Sequence, residues 1–205
     1  MTDSKPLDHS FQEPFMSRLF ASLRLLVASV ALLWLGLTAA QAQMGISGVD
    51  PSQVTTVELQ ARPTLALAAM GDWDDPLVSL SASIKRLQDE AQKKGLRTVG
   101  LPFVAFVDTD DRGFRFEAML ALAERPDASV SLAEGMRFAT SPAGKTLRFQ
   151  HRGTYEDIET TYETITAYLD EKGLEAQNLF VEEYISLPAT AEEEGAQVDI
   201  FVFLK

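Results

Sequence analysis

The sequence predicts an α+β domain made of two βαββ halves, with antiparallel sheets, the helices on the outer face and a cleft between the halves. Three observations carry this. Two amphipathic segments lie 78 residues apart, so that Leu80, Ile84, Leu87 and Ala91 fall on Ile158, Tyr162, Ile165 and Leu169. Each segment ends at a Gly-Leu pair, Gly95-Leu96 and Gly173-Leu174, where the helical spacing also stops. Each is preceded by one strand-like run and followed by two, so a single order of elements occurs twice.

The elements follow in chain order. Residues 16–42 (MSRLFASLRLLVASVALLWLGLTAAQA) have the layout of an export signal: Arg18 and Arg24 lead into an apolar run of thirteen residues, Leu25 to Leu37, and Ala40-Gln41-Ala42 supplies a cleavage pattern. A run of that length falls short of the ~20 residues that a membrane span needs. Residues 1–15 carry mixed charge and two prolines, unlike the start of a signal, so Met16 is expected to be the true start. The expectation is cleavage before Gln43 and a soluble periplasmic product without a stable membrane anchor; an uncleaved signal anchor is the alternative.

The domain proper is expected over 43–205, with halves at about 54–122 and 134–205. The first half runs strand 63–73, helix 78–95, strand 102–108 and strand 114–122. The second runs strand 145–155, helix 156–173, strand 180–186 and strand 197–205. Gly71 and Trp73 match Gly153 and Tyr155 at a spacing of 82, so the first helix is expected to be longer by one turn. The last strands are again offset by about 82, which puts a longer loop near Thr190 to Gly195. A short loop, Glu124 to Ala133, joins the halves. A ferredoxin-like domain with chance similarity between its halves is the competing architecture.

Composition narrows the function. At 205 residues and 46% hydrophobic content, the chain has material for one ordinary core. A formal net charge of −12 argues against nucleic acid as a partner, because a phosphate backbone needs a basic face. Cysteine is absent, which removes disulfides, thiolate metal sites and a Cys nucleophile. With only His9 and His151, no multi-histidine metal site can form. No cofactor and no metal are expected. Asp108, Asp110 and Asp111 cluster in a turn, but their spacing is not that of a calcium loop. His151 reads as a structural strand-end residue, since no catalytic partner is identifiable.

His151-x-Gly153-x-Tyr155, then Ile158, Tyr162, Ile165, Leu169 and Gly173-Leu174, then Glu182-x-Tyr184 resemble the pattern of the GyrI-like (gyrase-inhibitor-like) domains. The likeness is densest over 134–205 and weaker through 54–122. It implies two βαββ halves about a pseudo-two-fold axis, with a cleft that in many members takes bulky, often aromatic and cationic, small molecules. The chain departs from the family's transcription activators in having no helix-turn-helix segment. It also has Leu187-Pro188 where the family often has Asp-Pro after the Tyr strand.

Alternation divides the 180–186 strand into two faces, Glu182 and Tyr184 on one, Val181 and Ile185 on the other. The apolar pair is expected under the 156–173 helix, leaving Glu182 and Tyr184 to face the cleft. The repeat-equivalent residues of the first half are Val104 and Phe106. A carboxylate between the aromatics Phe106 and Tyr184 is a trap for a cation. Against that stands the reading of Glu182 as a solvated strand residue, as the neighbouring Glu183 suggests. Trp73 and Tyr155, at equivalent strand-to-helix junctions, either line the ends of the cleft or cap the helix–sheet core. Tyr162 falls on the apolar stripe and reads as core. The candidate ligand-binding set is therefore Glu182, Tyr184, Phe106, Trp73 and Tyr155. The expected function is binding of a hydrophobic small molecule, cationic compounds included, for sequestration, sensing or resistance. The alternatives are a hydrolase of strained hydrophobic compounds with Glu182 as its catalytic group, and an adaptor whose cleft is filled by its own side chains.

Overall fold

A computed structural model describes residues 54–205 except Asp111 and Ala128. The signal-like stretch and its cleavage pattern lie outside the described residues. Eight strands and two helices follow in the order β1 (Thr55–Leu59), β2 (Pro63–Gly71), α1 (Pro76–Lys94), β3 (Phe103–Asp110), β4 (Gly113–Ala121), β5 (Met136–Thr140), β6 (Gly144–Thr154), α2 (Ile158–Lys172), β7 (Ala176–Ser186) and β8 (Glu194–Leu204). The class is α+β, with every strand pairing antiparallel.

The helices stop where the sequence says they should. Gly95 and Gly173 adopt φ of 65° and 59°, the left-handed conformation that glycine enters at least cost. The following leucine closes each end: Leu96 N–H donates to Ala91 O and Leu174 N–H to Leu169 O, both at 2.9 Å. At the start of α1, the Asp75 side chain accepts from Val78 N–H and Pro76 opens the first turn. The first helix has 19 residues and the second 15, a difference of about one turn, as the spacing of the repeat required.

The halves do not form two separate sheets. They join edge to edge through β3 and β7, giving one sheet in the order β1-β6-β8-β7-β3-β4-β2-β5. Its six central strands, read from either end, follow the same order of repeat equivalents. Two strands lie outside the elements expected from sequence: β1 adds to β6, and β5 adds to β2.

The connections force this sheet to roll. β1 and β2 are six strand spacings apart in the sheet, about 29 Å if flat. Only residues 60–62 link them, a path from Leu59 to Pro63 of at most about 14 Å. The same holds for β5 and β6, joined by residues 141–143. The two connectors are clasped together: Arg62 N–H donates to Ser141 Oγ at 3.0 Å, and Ser141 N–H to Arg62 O at 2.9 Å. They share a hollow with Phe103, Val181, Phe201 and Phe203, so this face is the concave one. Its apolar residues, with Met119, form a core cluster of their own inside the roll. Both helices pack on the convex face, where Leu65, Leu80, Leu87, Phe116, Phe149, Ile165 and Ile200 belong to the main core.

Candidate functional site

Over the β3–β7 seam, between the starts of the two helices, lies a cavity of about 400 Å³. Its floor is set by strand pairing. Val104 lies opposite Glu182 and Phe106 opposite Phe180 across the seam. The walls come from the two strand-to-helix junctions, Trp73 and Asp74 before α1 and Tyr155 and Glu156 before α2, with Tyr162 from α2 itself.

Glu182 sits at the bottom, 1% exposed. Its carboxylate accepts three phenolic hydroxyls: Tyr162 donates to Oε1 at 2.6 Å, and Tyr155 and Tyr184 each donate to Oε2 at 2.9 Å. Burial pushes its carboxyl above the ordinary carboxylate range, and the three donors partly oppose that rise. Burial, and then the nearby carboxylate, pushes all three phenols well above their usual value. Four of the five candidate residues, Trp73, Phe106, Tyr155 and Glu182, therefore line one cavity. Tyr184 lies behind it and holds the Glu182 carboxylate in place. Trp73 is fixed by its indole N–H, which donates to Asp110 O at 2.9 Å, and by packing on Phe114 at 4.8 Å between ring centroids.

One orientation differs from expectation. Val181 does not pack under α2; it belongs to the concave cluster, and Ile185 is 41% exposed. The face with Glu182 and Tyr184 is the one α2 covers, because α2 brings Tyr162, a buried donor that needs an acceptor there. The cleft and the helix-bearing face are one and the same.

Tyr162, read from sequence as core, is both core and cavity wall. The repeat contained the signal for it. Val104, Phe106, Trp73 and Ile84 carry no side-chain oxygen, whereas their equivalents Glu182, Tyr184, Tyr155 and Tyr162 each do. These four oxygen-bearing side chains converge on one hydrogen-bonded cluster. The sequence reading also missed Phe114 and the acidic rim: Asp74, Glu156, Glu159 and Glu192 surround the mouth, and among the described residues no Lys, Arg or His lines the cavity. Three of these acids flank helix N-termini, whose dipoles favour negative charge. Burial and then Glu163 push the Glu159 carboxyl upward.

His151 is buried and structural. Thr161 Oγ1 of α2 lies 2.8 Å from Nδ1, and Thr154 O lies 2.7 Å from Nε2, so the ring ties α2 to β6. The acidic turn is held by its own backbone: Asp110 Oδ1 accepts from Arg112 N–H and Gly113 N–H. Asp108 pairs with Arg115, and Asp111 lies outside the described residues. Among the described residues no cluster of His, Asp or Glu is arranged to hold a metal ion.

Residues 52–205 match the sequence profile of the GyrI-like small molecule binding domain. The chain belongs to the GyrI-like family. Among solved structures it is similar to the EcmrR C-terminal domain, with a TM-score of 0.62 and 17% identity over 75% of this chain and 97% of that one. It is also similar to a hydrolase from Listeria innocua, with a TM-score of 0.54 and 14% identity over 74% of this chain and 91% of the other. At these identities the likeness is one of fold. No curated protein matches the sequence significantly. The family is one of small-molecule-binding domains, and the cavity between the helices has room and a polar anchor for a small molecule.

Proposed function

We propose that the protein binds a hydrophobic cation in the cavity between α1 and α2, outside the cytoplasm, as a sequestering, sensing or resistance protein. The observation that carries this is the make-up of the wall: among the described residues it has five carboxylates and five aromatic rings, with no basic side chain. The aromatic faces of Trp73, Phe106 and Phe114 offer dispersion and cation–π attraction. Glu182 supplies the charge at the floor, and the rim acids raise the local concentration of cations. The cavity is of the size that holds a small organic ligand. The two ends differ, polar on the α2 side and aromatic on the α1 side, which suits a molecule with a charged end and a flat apolar end. Binding is favoured over turnover, because three phenol donors already occupy the oxygens of the Glu182 carboxylate.

The test is titration of the purified protein with a cationic aromatic dye, with an anionic dye of equal size as control. Glu182→Gln keeps the shape and deletes the charge, although its amide NH2 donates where a carboxylate oxygen accepted, so at least one tyrosine hydroxyl must turn to accept. It should weaken the cation about tenfold or more, since a charge-assisted contact contributes about 1.5–3 kcal/mol. Equal affinity in both proteins would remove Glu182 from the site and the cationic reading with it. Recovery of the bound compound unchanged after long incubation separates binding from hydrolysis. The export reading is checked by N-terminal sequencing of periplasmic material, which should begin at Gln43; a full-length species retained in the inner membrane would favour the anchor instead.

A further inference from the structure

Glu183 follows Glu182 on β7 and so points through the sheet to the other side, into the hollow of the roll. That hollow has a volume of about 250 Å³ and shares no lining residue with the cavity between the helices. Phe103, Phe201 and Phe203 form an apolar floor, each at most 7% exposed. Arg62, from the clasped connector, and Glu58 stand at the rim. Glu183 is half-buried. Burial pushes its carboxyl upward and the field of Arg62 draws it back, yet the two form no ion pair within 4.0 Å among the described residues.

The hollow thus presents a guanidinium and two carboxylates over a phenylalanine floor, with the opposite charges near each other but not joined. A neutral or singly charged occupant would leave at least one of these groups partly desolvated without a partner, which is costly. A zwitterion satisfies both signs: its carboxylate meets Arg62, and its ammonium meets Glu183 and Glu58. Size narrows the class further. About 250 Å³ is below the ~300–1,000 Å³ of sites for drug-sized ligands. We propose that the concave face holds a second site, for a small zwitterion bearing an apolar group, of the size of a single aromatic or branched amino acid.

The experiment is amide NMR of the intact protein titrated with L-phenylalanine, L-phenylalaninamide, N-acetyl-L-phenylalanine and glycine. Phenylalanine should shift the amides around Arg62 and Glu183 with millimolar or tighter affinity. Each of the other three, lacking the carboxylate, the ammonium or the apolar group, should bind about tenfold or more weakly. Arg62→Gln and Glu183→Gln should each weaken phenylalanine about tenfold and leave dye binding between the helices unchanged. The proposal is overturned if the amide or the N-acetyl compound binds as well as phenylalanine. It is equally overturned if no shifts appear up to about 20 mM, a Kd too weak for a built site, or if the shifts fall around Glu182 instead.

Discussion

Glu182 combines two roles that oppose each other in the absence of ligand. It accepts three buried hydroxyls, and it keeps a negative charge out of water. The pKa shift shows which effect dominates: the carboxyl is raised from its ordinary 4.5, so the folded protein holds that proton more tightly than the unfolded chain. Its stabilising contribution is therefore full below about pH 4.5 and is lost as pH rises through the folded value. Glu182→Gln removes this dependence. In urea melts across pH 4.5 to 7.5, the variant should gain on the wild type as pH rises; a constant difference would show that the three phenols fully compensate the charge. Glu182→Ala is the opposite case. It leaves three buried hydroxyls without their acceptor, each costing about 1–3 kcal/mol, so a loss of about 3 kcal/mol or more is expected. His151 has the reverse sign. Burial lowers its pKa from 6.5, so the unfolded chain takes the proton first and stability falls as pH drops below that value.

At the scale of elements, the strand pairs position the site and the helices close it. The β3–β4 hairpin is tight because Gly113 lies against β2: a Cβ there would stand 2.1 Å from Gly71 O. The same hairpin carries Asp110, whose carbonyl anchors Trp73. Gly113→Ala should therefore cost about 2–3 kcal/mol in thermal or urea unfolding, and should also weaken the dye by loosening the Trp73 wall. A variant that lost stability but bound normally would free Trp73 from the site. The helices were legible in the sequence because their signals are local: 3.6-residue periodicity, a glycine stop and a leucine to close it. The central strands were legible through the repeat. β1 and β5 were not, since TTVEL and MRFAT are edge strands of only five residues, too short for their alternation to stand out, and they pair with β6 and β2 alone. Glu182 and Tyr184 could be singled out because strand alternation puts them on one face and the family pattern falls on them, and Tyr155 because it stands at the strand-to-helix junction equivalent to that of Trp73. Tyr162 was assigned to the core because periodicity says which face is buried and not what waits for it there.

At the scale of the molecule, two properties do not belong to any one element. The roll of the sheet follows from two short connectors that must span six strand positions, and strand pairing order is not readable from local pattern. That roll creates both hollows, one under the clasp of Arg62 and Ser141 and one between the starts of the two helices. Charge is the second property. A net −12 is a global number, but the fold gathers Asp74, Glu156, Glu159 and Glu192 around one mouth, with no basic residue in the lining among the described residues. Fields of this kind act mainly on the rate of encounter and are screened by salt, with a Debye length of about 30 Å at 0.01 M and about 8 Å at 0.15 M. Stopped-flow association of the cationic dye should therefore slow about three- to tenfold between those salt concentrations. Dissociation should change less, because it is set by the buried contacts with Glu182 and the aromatic walls. Changing Glu156 and Glu159 together to Gln should flatten the salt dependence of association and leave the dissociation rate near that of the wild type. An association rate indifferent to salt in the wild type would mean that the rim acids serve only the helix N-termini beside them and do not steer the ligand.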